Sequence, residues 1–143
     1  FNFKILAFDN YHDDFFAKEN KITYCDLNTL LSSSDIVSVH LNLTDKTREL
    51  LSEKNLKKLK QNSILINTSR GEIINEDILY DILINNRILG AGLDVFNNEP
   101  YVGPLAGLKN TVLTPHIGAY AKEIRIRMET EAFNNITKGL NFE

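Results

Sequence analysis

The sequence predicts an α/β fold, a doubly wound parallel sheet with helices on both faces. Three observations carry this reading. Short apolar runs bounded by turn residues alternate with stretches of helical spacing. The runs are apolar at successive positions instead of every second one, as in strands covered on both faces. Polar residues suited to ligand binding (Asp9, His40, Arg70, Asp94 and His116) each stand at or just after such a run, where open α/β sheets hold their ligands.

Taken in order, Lys4 to Phe8 is an apolar run ending at Asp9 and predicts a buried strand. Asp13 to Glu19 predicts a short helix, and Ile22-Thr23-Tyr24 a short strand. Asp26 to Leu31 predicts a helix capped by Asp26, whose carboxylate can accept from free first-turn amides. Ile36 to His40 is strand-like. Ser52 predicts a helix start, with Asn55 in place of the Glu or Gln of a full capping box, and Leu56 and Leu59 on the inner face. Ser63 to Asn67 is the next strand. Asn75 caps a helix in which Ile78, Leu79, Ile82 and Leu83 recur at three- and four-residue spacing. Gly90 to Val95 and Thr111 to Leu113 are strands, and Ala121 to Leu140 is a long final helix ending near Gly139.

A chain of 143 residues fits one domain, and 43% hydrophobic with 24% charged residues allows an ordinary globular core. A net charge of −3 excludes a broad nucleic-acid surface. The apolar runs are too short to span a membrane, and the first residues lack a signal-peptide pattern. Cys25 is the only cysteine, so no intrachain disulfide forms, and it reads as an inert thiol. No metal-ligand motif is present. These points favour the cytoplasm. The chain opens at Phe1 and its only methionine is Met128, so it reads as a piece of something longer.

Four places carry candidate chemistry. Asp9 can accept the ribose hydroxyls of a dinucleotide and repel an extra 2′-phosphate, or it is a turn residue. Asn67-Thr68-Ser69-Arg70-Gly71 presents an arginine that can grip a carboxylate at two points, or stays a surface turn. Gly90 to Phe96, followed by Glu99-Pro100, brings Asp94, which reads as an acceptor for an amide or as a cap, and Glu99, which on its own reads as a loop carboxylate. Thr114-Pro115-His116-Ile117-Gly118 holds a histidine behind a proline; it can deliver a proton if a carboxylate is near, or it is structural. His12 reads as a surface helix residue, and His40 as a wall of a nucleotide groove without chemistry.

Together these blocks, with Ser34 to His40, resemble the D-2-hydroxyacid dehydrogenases. The resemblance runs over nearly the whole chain. It implies a Rossmann-like domain with NAD as cofactor and a small 2-hydroxy or 2-oxo acid as substrate. It assigns catalysis to Arg70, Glu99 and His116: the arginine holds the substrate carboxylate, the histidine protonates the carbonyl oxygen, and the glutamate favours the protonated ring. It assigns cofactor contacts to Asp9, Thr68, Ser69, Arg70, Asp94, His116, Gly118 and Ala119. Asn42 departs from the proline usual at that point.

The resemblance also implies that the phosphate-binding glycine loop and the first, central strand precede Phe1. Residues 1–143 are then a partial NAD-binding domain, without the substrate domain. Alone, the piece is expected to rearrange or pair with another chain, and not to turn over substrate. The parent is expected to be a homodimer. A non-catalytic NAD-sensing dimerisation domain of the corepressor type is the alternative.

Overall fold

In the computed structural model, which describes residues 3–140, every strand pairing is parallel. Phe1, on which the reading of the chain's start rests, lies outside those residues. The strands are β1 (Ile5–Ala7), β2 (Ile22–Tyr24), β3 (Ile36–Val39), β4 (Ile64–Asn67), β5 (Gly90–Leu93) and β6 (Thr111–Leu113). The helices are α1 (Asp14–Glu19), α2 (Leu27–Ser33), α3 (Glu53–Leu56), α4 (Glu76–Ile84) and α5 (Lys122–Gly139).

The strands form two sheets, β1-β2 and β3-β4-β5-β6. Between them lies a cavity of about 220 Å³, lined by Leu6, Ala7 and Phe8 on one side and Val37, Ser38 and Val39 on the other. The α/β class holds, but β1 and β3 each have a single partner strand among the described residues. The break falls where the resemblance places a central strand.

Capping explains the helix starts. Asp13 accepts from the Phe16 amide at 2.8 Å, Asp26 from Thr29 at 3.0 Å and Asn75 from Ile78 at 3.1 Å. Each satisfies an amide that the first turn leaves free. Ser52 makes no such bond and α3 is a single turn; Asn55 instead donates its side-chain amide to the Leu50 carbonyl at 2.7 Å. His12 precedes α1 instead of lying in it, and its ring stacks on Tyr24 at 4.0 Å. Cys25 is half-buried, and burial, followed by the charge of Asp26, pushes its thiol pKa up.

The core sits between β3–β5 and the helices. Leu31 of α2, Leu56 of α3, Leu65 of β4, and Leu79 and Leu83 of α4 are all fully buried. Each such side chain is worth about 1.5–3 kcal/mol relative to exposure. Small residues keep β5 close to its neighbours: a Cβ at Gly90 would stand 2.7 Å from the Asn110 carbonyl oxygen. β5 ends at Leu93, two residues before the sequence-based expectation, because the chain then turns to serve the site. α5 buries no residue and exposes Ile124, Phe133 and Ile136. Among the described residues no helix is long and apolar enough to cross a membrane.

Candidate active site

The chain leaves β4, β5 and β6 at the same edge of the four-stranded sheet, and each exit carries one of the expected residues. The β4 exit is set by Asn67. Its buried side chain donates to the Arg70 carbonyl at 2.9 Å and accepts from the Ser69 amide at 3.0 Å and hydroxyl at 2.8 Å. This closes the turn at Thr68 and Ser69 and delivers Arg70 to an exposed position. The guanidinium folds back, Nη1 donating to the Ser69 carbonyl at 2.6 Å. Gly71 has no positive φ; its role is close approach, since a Cβ there would meet the Phe96 carbonyl carbon at 2.0 Å. The arginine turn is thereby pressed against the loop that leaves β5.

That loop is Asp94 to Pro100. Glu99 folds back on it, Oε1 accepting from the Phe96 amide at 3.0 Å. Its other oxygen, Oε2, lies 2.8 Å from His116 Nδ1. An ionised carboxylate only accepts, so the ring donates from Nδ1. The bond from His116 and then that from Phe96 hold the Glu99 carboxyl below its ordinary pKa, against the effect of burial. The Glu99–Pro100 peptide is cis.

The β6 exit is held by Asp94. Its Oδ1 accepts from the Thr114 hydroxyl at 2.5 Å and the Ile117 amide at 2.9 Å, and its Oδ2 from the Gly118 amide at 2.9 Å. Burial raises the Asp94 pKa, but these three bonds, joined by the charge of His116, outweigh it and leave the carboxyl low. The tightened loop carries His116 at φ 55, a left-handed conformation that costs a residue with a Cβ about 1–2 kcal/mol. The His116 amide closes a tight turn over Pro115 onto the Thr114 carbonyl at 3.0 Å.

Glu99 and His116 open onto a cavity of about 430 Å³, walled also by Phe96, Pro100, Tyr101, Pro115 and Tyr120. The size suits a small ligand. Arg70 does not line it, so the structure brings two of the three expected catalytic residues together and sets the third on the adjoining turn. Asp9 lies apart, past β1, one oxygen accepting from the Tyr11 amide at 3.0 Å. With His40 it faces a third cavity, of about 560 Å³. The His40 Nε2 is 2.8 Å from the Ser38 hydroxyl. Ala119 is half-buried and Gly118 exposed, next to the Asp94 carboxylate. Sequence reasoning missed the parts played by Thr114, Tyr101 and Tyr120. Thr114 was visible only as a small polar residue at a strand end, and the two tyrosines carried no local signal.

Parallel strands with an acid–imidazole pair in the loops beyond their ends define an open α/β domain that holds its ligand at that edge. Residues 1–118 match the family described as D-isomer specific 2-hydroxyacid dehydrogenase, NAD binding domain, and the chain belongs to that family. It is 40% identical over 138 residues to the glyoxylate reductase of Korarchaeum cryptofilum, covering 95% of this chain and 42% of that protein. The crystal structure of a glyoxylate reductase from Paecilomyes thermophila superposes with a TM-score of 0.90 at 32% identity, over 97% of this chain and 42% of that one. The D-lactate dehydrogenase of Aquifex aeolicus, complexed with NAD and lactic acid, gives a TM-score of 0.84 at 28% identity, over 96% and 46%. The chain thus spans less than half the length of these relatives.

Proposed function

We propose that the protein carrying this chain moves hydride between NAD(H) and a small D-2-hydroxy or 2-oxo acid, and that this chain supplies its nucleotide-binding half and its acid–base group. One observation carries the reading: Glu99 holds His116 through Nδ1, and Nε2 has no bonded partner among the described residues. A protonated ring so held presents an Nε2–H donor and can surrender that proton to a carbonyl oxygen. The carboxylate beside it fixes the ring's orientation for that transfer.

The residues present fit a dinucleotide. Asp9 keeps one carboxylate oxygen open to ribose hydroxyls, and its charge disfavours a 2′-phosphate. Asp94 keeps capacity on Oδ2 for an amide donor, in a corner where even a Cβ at Gly118 would come within 3.1 Å. On this reading Thr68, Ser69, Arg70, His116 and Ala119 contact the reacting end of the cofactor when it is bound. The nicotinamide supplies the hydride. The chain's part is to hold the acid, orient the proton and anchor the substrate. Arg70 anchors by leaving the Ser69 carbonyl for the substrate carboxylate, a charged partner and a stronger acceptor.

The share of its relatives' length that the chain spans supports a substrate-binding lobe outside residues 1–143. Cytoplasmic placement and a homodimer belong to the same proposal, and sedimentation of the whole protein tests the dimer. The relatives named above are reductases and dehydrogenases, which lends no support to the sensing alternative.

The test is oxidation of NADH by glyoxylate or hydroxypyruvate with the whole protein, beside its Arg70→Lys variant. Turnover is expected, and the variant should lose about ten- to a hundredfold in kcat/KM, as a two-point charged grip becomes a single one. A parent inactive on both acids, or a variant as active as the parent, would overturn the assignment.

A further inference from the structure

Glu76, the first residue of α4, does something that its place in the helix does not call for. A carboxylate there ordinarily serves its own helix's free amides. In α4 the Asn75 side chain already caps the Ile78 amide. Glu76 instead reaches across 21 residues of sequence, and its Oε1 accepts from the Asn97 amide at 2.6 Å. It does so at a cost: burial first, then the neighbouring charges of Asp77 and Glu72, push its pKa up, while the Asn97 bond pulls it down.

Asn97 is the residue after Phe96, whose amide is taken by Glu99. Two consecutive amides of one loop are therefore each held by a carboxylate, Phe96 by Glu99 from within the loop and Asn97 by Glu76 from α4. Gly71 closes the third side, with no room for a Cβ against the Phe96 and Asn97 backbone. The loop has no strand partner here, because β5 has ended at Leu93. What fixes Glu99 opposite His116 is thus a tie to α4 and a steric stop from the arginine turn.

We infer that Glu76 is a positioning residue, whose bond to the Asn97 amide locks the Phe96–Glu99 turn so that Glu99 stays within hydrogen-bond reach of His116. The inference rests on the proposed acid–base role of that pair. Glu76 touches neither His116 nor the cavity beside it and acts only through the turn.

The test compares Glu76→Ala, Glu76→Asp and Glu76→Gln in the whole protein by two readouts. The first is the NMR titration of the Glu99 side-chain carboxyl, which is sensitive to His116 and Asp94 facing it and needs no turnover. The second is the split between kcat and KM for glyoxylate with NADH. In Glu76→Ala the Glu99 carboxyl should titrate nearer the ordinary glutamate range. Its kcat should fall about ten- to a hundredfold, the usual result of displacing a reacting group by roughly an ångström, with KM little changed. Glu76→Asp keeps the charge at the helix start but shortens the reach, so it shows the same trend in a chain with an intact α4. Glu76→Gln keeps an acceptor oxygen and should restore both readouts. The inference is overturned if the Glu99 titration stays at its parental position in the alanine and aspartate variants, or if glutamine fails where glutamate works. A parent without turnover would count against the proposed reaction, while the Glu99 titration would still decide the part played by Glu76.

Discussion

Asp94 and Glu99 keep their charge to lower pH than free carboxyls do, because both accept hydrogen bonds that exist only in the folded chain. A carboxyl with a depressed folded pKa contributes stability above its unfolded value, about 3.9 for Asp and 4.3 for Glu, and that contribution disappears as pH falls through the folded value. Glu76 runs the other way: its raised pKa gives a contribution that is present at low pH and lost as pH rises. Asp94 has the more buried carboxylate and three donors to lose. Asp94→Asn should therefore lower the melting temperature at neutral pH, and the gap to the parent should narrow as pH drops below the carboxylate range. Thermal unfolding at a series of pH values reads this, and a gap independent of pH would contradict it. The same network holds His116 in its left-handed backbone conformation, so the strain at that residue is countered from Asp94, 22 positions earlier.

Among the elements, helices announced by a capping side chain were legible in the sequence. Asp26 and Asn75 cap where expected, and Asp13 caps where its helix was expected to begin. The signal is local, one side chain and an amide three residues on, so sequence alone suffices. Asn75→Ala should cost about 1 kcal/mol, measured as a shift in the denaturation midpoint with unchanged slope; no shift would mean that packing alone starts α4. Ser52 shows the limit, since the same residue type caps nothing and α3 stops after one turn. The exits of β5 and β6 were legible as residue types but not as geometry. Gly71 stands in sequence only as the end of a turn, yet it is needed for close approach to Phe96, 25 positions away. The tie from Glu76 to Asn97 was invisible for the same reason: it exists only once α4 packs beside β5. Glu99 and His116, 17 residues apart, were joined by the family resemblance and not by their spacing.

At the scale of the whole molecule, the two sheets predict uneven protection. β4 and β5 have a partner on each side, whereas β1 and β3 each turn one edge toward the intervening cavity. Buried backbone groups without partners are costly, so these edges take up water or another strand. In this chain by itself, amide exchange should be slowest in β4 and β5 and markedly faster in β1 and β3; equal protection across all four would show that the gap is filled. The gap also divides labour. Asp9, proposed to choose between two dinucleotides, rides on the smaller slab, while Arg70, Glu99 and His116, proposed to serve carbonyl reduction, ride on the larger. Dinucleotide preference can then drift through changes in the small slab while the proton-delivering machinery is left alone, and a swap of the stretch around β1 and β2 between relatives would carry that preference with it.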